Sequence, residues 1–152
     1  MGAFWNNDVN HTLSLLQPLA GEWTSIAWGV NDLGQAVGEG HGPSFGTRAV
    51  LWLDDTAHTA IDLGALPGDT QSVAMAVNNQ GQVIGFSTSP SGASRPFLWQ
   101  NGQMMEVSSL LDATGVDWVI QHVTAINNLG RIIGSGLYQG QPRAFLMTPV
   151  GQ

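Results

Sequence analysis

Hydrophobic residues come in short runs along this chain, each closed by a polar or glycine-rich turn. Runs dense in Val, Ile, Phe, Trp and Leu cover residues 25–30, 35–39, 48–52 and 59–63. They recur at 72–77, 82–86, 95–99 and 103–107, and again at 121–126, 131–135 and 143–147. All have strand length and strand composition, and none is long enough for a typical helix. The pattern predicts four strands per unit, labelled A to D in that order. A weaker D-like run, residues 12–16, stands ahead of the first A.

Two motifs give the runs a common period. Val-Asn-Asp-Leu-Gly-Gln-Ala-Val-Gly at 30–38 returns as Val-Asn-Asn-Gln-Gly-Gln-Val-Ile-Gly at 77–85 and Ile-Asn-Asn-Leu-Gly-Arg-Ile-Ile-Gly at 126–134. Asn31, Asn78 and Asn127 are therefore 47 and 49 residues apart. Arg48, Arg95 and Arg143 each open a C run and are 47 and 48 residues apart. Two independent motifs sharing one period identify a repeat protein. The expectation is a single all-β domain over residues 1–152, with units at 12–52, 59–99 and 103–147. Ala3, Phe4 and Trp5 read as the tail of an earlier C run, so the set is circularly shifted. The last unit ends without a D strand, and residues 12–16 are expected to pair with 143–147 as a clasp, within one chain in a closed monomer or between chains in a six-bladed dimer.

The turn residues fit this reading. Asn31, Asn78 and Asn127 each begin an Asn-x-x-Gly element joining A to B, where Gly supplies positive φ and Asn bonds its own backbone. A turn is favoured there over a metal or sugar ligand. Asn101-Gly102 is a strong hairpin signal between C and D. Folding C against D brings Arg95 near Glu106 and Arg48 near Asp62, as structural cross-strand pairs. Small residues recur in A as Ala27 and Gly29, Ala74 and Ala76, Val123 and Ala125. Period-two alternation puts each pair on one strand face, pressed against something close. The inner strands of a β-propeller and the crowded layers of a small barrel both meet that description.

Composition narrows the function classes. Charged residues make up 10% of the 152, with no Lys, four Arg and a net charge of −7. A basic stripe for phosphates cannot be built, which argues against nucleic acid and against an anionic membrane surface. No apolar run approaches the roughly 20 residues of a membrane span. There is no Cys, hence no disulfide framework, thiolate metal site or Cys nucleophile. Residues 1–20 lack a basic start and carry Asn6, Asn7, Asp8 and Asn10, so no signal peptide is read there and a cytoplasmic location stays open.

The combined motifs resemble the HAF repeat, a family of bacterial, predicted extracellular repeat proteins. Residues 74–85 (Ala-Met-Ala-Val-Asn-Asn-Gln-Gly-Gln-Val-Ile-Gly) match its first part, and Asp-Leu-Gly-Ala-Leu-Pro-Gly at 62–68 its third. The middle His-Ala-Phe-Leu-Trp element departs, because Arg stands for His at 48, 95 and 143. The resemblance implies a propeller-like β repeat and an extracellular or cell-surface location, and carries no activity.

Catalytic chemistry finds little support. His11, His41, His58 and His122 are scattered, and only His58 has near carboxylates, Asp54 and Asp55. Asp112 and Asp117 share one loop without a sign of a joint site. No nucleophile elbow occurs. The glycine-rich stretch at 38–46 lacks the Lys of a phosphate loop. No catalytic residue, metal or cofactor is therefore expected. Trp52 and Trp99 follow the repeat and belong to the core, whereas Trp23, Trp28 and Trp118 break it. These three are the candidate ligand-binding residues, with loops 40–47 and 108–120 as the binding surface.

The resulting expectation is a non-enzymatic binding or interaction module of three four-stranded units. Three units are fewer than an ordinary closed propeller has, so a homodimer completing a six-bladed ring is expected. The alternatives are a β-trefoil fold, a lectin-like domain with a glycan ligand, and a hydrolase on a propeller scaffold.

Overall fold

The computed structural model describes residues 12–150, and its eleven strands form three antiparallel sheets. The first sheet holds β1 (Thr24–Val30), β2 (Ala36–Gly42), β3 (Gly46–Trp52) and β4 (Ala60–Asp62) in sequence order. The second holds β5 (Gln71–Val77), β6 (Val83–Thr88), β7 (Ser94–Gln100) and β8 (Gln103–Glu106), again in order. The third has three strands, β9 (Trp118–Ile126), β10 (Ile132–Tyr138) and β11 (Gln141–Met147). Runs A, B and C thus become the first three strands of every sheet, and D the fourth strand of two. No closed barrel forms among the described residues.

The A-to-B turns follow one design. The Asn78 side-chain oxygen accepts the amides of Gln80 and Gln82, and the Asn31 and Asn127 oxygens do the same in their own turns. Gly34, Gly81 and Gly130 complete these turns with φ of 82°, 73° and 70°, which favours glycine. Asn101 and Gly102, with φ of 51° and 78°, make the β7–β8 turn whose twist suits a hairpin.

Strand A is not regular, and this corrects one expectation. Its register against strand B skips Trp28 between Ala27 and Gly29, and Met75 between Ala74 and Ala76. Thr124 is skipped likewise between Val123 and Ala125. One extra residue at a bulge reverses the alternation. The two small residues therefore face opposite sides. Ala74 packs toward the first sheet and Ala76 toward the third. A Cβ on Gly29 would meet the Met75 carbonyl and Ala76 Cα, so neighbouring A strands nearly touch.

The core lies between sheets. Val37, Ala49 and Leu51 of the first sheet meet Ala74, Val83 and Phe97 of the second, with Leu63 and Leu66 inserted from the connection. Ile84 and Leu98 meet Val123 and Ile132 of the third sheet, with Val107 inserted. Each sheet thus buries one apolar face per neighbour, and the connection after D fills the gap.

Within one chain, residues 12–16 do not form the expected clasp. They form no strand, and β11 has no strand beyond it among the described residues. Instead Leu16 and Leu19 are buried against Ala36, Val50 and Trp52 on the free face of the first sheet. Ser25 Oγ donates to the Leu16 carbonyl at 2.7 Å, and Trp52 Nε1 to the Gln17 carbonyl at 2.7 Å. The reason is the repeat itself: Leu16 and Leu19 take the place on the first sheet that Leu63 and Leu66 take on the second. Ala3, Phe4, Trp5 and His11 lie outside the described residues.

Candidate functional site

The asparagine that closes each turn also reaches out of it. Asn31 Nδ2 donates to the Asn78 carbonyl at 2.9 Å, and Asn78 Nδ2 to the Asn127 carbonyl at 2.9 Å. A second rung runs alongside. The Asp32 amide donates to Asn79 Oδ1 at 3.1 Å, and the Asn79 amide to Asn128 Oδ1 at 2.8 Å. Every unit therefore docks on the next through the same donors and acceptors. Asn78, with a unit on each side, is 2% exposed. Asn127 is exposed, and its Nδ2 has no acceptor among the described residues. The sequence motif carried a signal for this: a turn alone does not require Asn in all three copies.

The outer face of the third sheet continues the pattern with nothing upon it among the described residues. Val37 pairs with Leu51, Ile84 with Leu98 and Ile133 with Leu146 in equivalent registers. The first two pairs are 0 and 4% and 0 and 7% exposed, whereas Ile133 and Leu146 are 47 and 61% exposed. The opposite end of the array shows the same contrast in Val30, 59% exposed, against its repeat counterpart Val77, at 6%.

The free edge of β11 borders a groove of about 330 Å³ lined by Leu111, Trp118, Ile120, Phe145, Met147 and Val150. In the other units this place is filled. β4 pairs with Val50, Leu51 and Trp52 of β3, and β8 with residues 97–100 of β7. Among the described residues, the corresponding Phe145, Leu146 and Met147 have a partner strand on one side only.

The predicted aromatic residues are not gathered into one site. Trp118 is the first residue of β9, not of a loop, and is half-buried against Tyr138 and Phe145 at ring separations of 5.3 and 5.8 Å. Trp28 is the bulge residue of β1, exposed, with Nε1 on Glu39 Oε1 at 3.2 Å. Trp23 is exposed just before β1. One thus lies in the first sheet, one just ahead of it and one in the third. The expected irregular loop 40–47 is mostly hairpin, since Gly40, His41 and Gly42 pair with Arg48, Thr47 and Gly46. The stretch 108–120 contains two short 3₁₀ turns, and the Asp112 side chain caps the second by accepting the Thr114 amide.

The arginines have structural company. Arg95 Nη1 lies 2.8 Å from Glu106 Oε2, and Arg48 Nε 3.5 Å from Asp62 Oδ1. Sequence reasoning missed Asp69, whose side chain is 2% exposed and meets Arg95 Nη2 at 3.0 Å. Hydrogen bonds donated to Asp69 first, and to Glu106, hold the Arg95 guanidinium pKa above its ordinary value. Arg48 also lies over the Phe45 ring, 4.3 Å from its centroid. Arg143 is exposed and donates to the Pro142 carbonyl.

The histidines are dispersed. His41 sits 3.7 Å from Glu39 and 3.3 Å from Thr47 Oγ1, His58 faces the Leu53 carbonyl, and His122 packs edge-on to Phe86. Asp55 is held below its usual pKa by the Thr59 hydroxyl and amide, and Asp112 by those of Thr114. No group of three or more His, Cys, Asp or Glu is placed to hold a metal among the described residues. Among the described residues, no helix is long and apolar enough to cross a membrane. No family model matches the chain, and neither a curated protein nor a solved structure matches it.

Proposed function

We propose that this chain is a non-enzymatic interaction module, a propeller-like arc of three units that binds through its open ends. The observation that carries this reading is the exposure of Ile133 and Leu146 at positions buried in both earlier units. A contiguous apolar face beside an unpaired strand edge is a place where another chain docks. The recognition mode is strand addition: an extended apolar segment lies along β11, giving main-chain hydrogen bonds, and its side chains enter the groove at Trp118 and Phe145. The HAF resemblance supports the propeller-like arrangement and an extracellular or surface location. The packing of Trp118 on Tyr138 and Phe145 favours an apolar peptide over a sugar ring at this groove.

Hydrogen exchange tests the reading. The outward-facing amides of β11 should be protected, either in the pure protein or after addition of a peptide copying residues 103–110. Exchange at free-edge rates under both conditions would overturn it. So would protection induced by an oligosaccharide panel and not by the peptide, which would make the groove a lectin site.

A further inference from the structure

The two ends of the array are complementary rather than alike. The internal joints show what one unit offers the next: an apolar face, an asparagine side-chain amide, and the run after strand D. At the third-unit end stand Ile133 and Leu146, the Asn127 side-chain amide and the edge of β11. At the first-unit end stand Val30, the Asn31 carbonyl, the Asp32 carboxylate, whose Oδ2 already accepts Asn79 Nδ2 at 2.9 Å and whose Oδ1 has no donor among the described residues, and a D-like run that no C strand partners among the described residues. Asn78 shows that one such carbonyl takes both bonds at once, since it accepts the Gly81 amide at 3.0 Å and Asn31 Nδ2 at 2.9 Å. The Asn31 carbonyl, which accepts the Gly34 amide at 3.2 Å, therefore has room for a second donor.

We propose that the occupant of the open third-unit face is the first-unit end of a second copy of this chain, and that two copies close one six-unit ring. This rests on the reading of the open ends as docking surfaces. At each new joint, Asn127 Nδ2 donates to the carbonyl of Asn31 of the partner subunit, and the Asn128 amide to Oδ1 of Asp32 of the partner subunit, the carboxylate oxygen that Asn79 does not occupy. These bonds repeat the two rungs already present twice within one chain. Residues 12–16 of the partner subunit then lie beside β11 as the missing fourth strand. Their connection needs no rearrangement, because Leu16 and Leu19 already sit on the first sheet as the Leu63–Leu66 pair sits on the second.

Symmetry favours two copies. A head-to-tail contact between unlike ends closes a ring or runs on as a filament. Propellers of about four to eight blades are closed, and six falls within that range. With two copies related by a two-fold axis, both joints are identical and no donor or edge is left over. Charge does not oppose the contact: the net charge is −7 per chain, but Asp32 is the one charged residue among those named at the joint, and it accepts an amide.

Cross-linking tests the assignment, helped by the absence of native Cys. The Asp32→Cys, Asn79→Cys pair is the control, since these side chains touch at 2.9 Å and a short bis-maleimide should link them within one chain. The Asp32→Cys, Asn128→Cys pair should give a covalent two-chain species and nothing larger, and added Leu146→Asp should abolish it. A ladder of larger species, a link within one chain, or no link while the control reacts would each overturn the two-copy ring. If the ring fails this way while peptide still protects the β11 edge, the docking reading stands and its partner is a different chain. An unprotected edge would remove both.

Discussion

The side-chain amide of Asn78 bonds the backbone carbonyl of Asn127, 49 residues further along, at 2.9 Å. The same side chain closes its own turn, so one residue sets both the hairpin and the spacing between units. Asn78→Ala would remove two accepted amides and two donated bonds, and leave buried groups unpaired. At about 1 kcal/mol net per bond, with more for a buried unpaired group, the cost should be about 2–4 kcal/mol. Asn127→Ala in a single chain should cost about half as much, because only its turn is lost. Urea denaturation of the two variants measures the difference.

The final glycine of each repeated motif is held by packing. A Cβ on Gly85 would run into the Val73 carbonyl, the Ala74 Cα and the Phe97 ring. Backbone cannot yield as a flexible side chain does, so Gly85→Ala should lose more than about 2 kcal/mol. Gly64→Ala meets open space, and its cost should be confined to the strain of φ 80°, about 1–2 kcal/mol. Thermal melts of both variants check the order.

Arg95 bridges Asp69 and Glu106, and Arg143 meets no carboxylate among the described residues. Arg95→Ala strands the buried Asp69 carboxylate. Because the arginine is itself about one-third exposed, solvent screens part of the effect, and a loss of about 1–2 kcal/mol is expected. Arg143→Ala should stay within about 0.5 kcal/mol in the single chain. Denaturant midpoints at neutral pH read both.

The Asp55 carboxylate accepts the Thr59 hydroxyl at 2.6 Å and is held below its usual pKa by that bond and the Thr59 amide. A lowered folded-state pKa means the contribution is present above the unfolded value of about 3.9. It is lost as pH falls through the lowered value. The side-chain carbon resonance of Asp55 should therefore titrate below that of an unfolded peptide, and Thr59→Val should move it back up.

Much of this architecture was legible in the sequence because turn chemistry and the apolar period agree. Asn-x-x-Gly and Asn-Gly mark the reversals, and the C runs carry arginines at the spacing the strands need. The bulge in strand A was not legible, since Trp28, Met75 and Thr124 have no residue type in common. Missing it placed Ala74 and Ala76 on one face when they serve two joints. Residues 12–16 were recognised as D-like, but their neighbour was not: burial of Leu16 against Trp52 is a tertiary fact, set by the preceding place in the array. Trp118 was singled out for breaking the repeat, and its break is explained by capping Phe145 where a fourth strand is missing. The two roles of Asn31, Asn78 and Asn127 were half read. The turn followed from local chemistry, whereas the bond to the next unit needs the sheets side by side.

The solution mass tests the central claim most directly. Sedimentation equilibrium should give a particle of two chains, twice 16.1 kDa, independent of further concentration, and a single-chain mass for Leu146→Asp with unchanged circular dichroism. A wild-type protein that stays at the single-chain mass up to concentrations where weak dimers form would contradict the account.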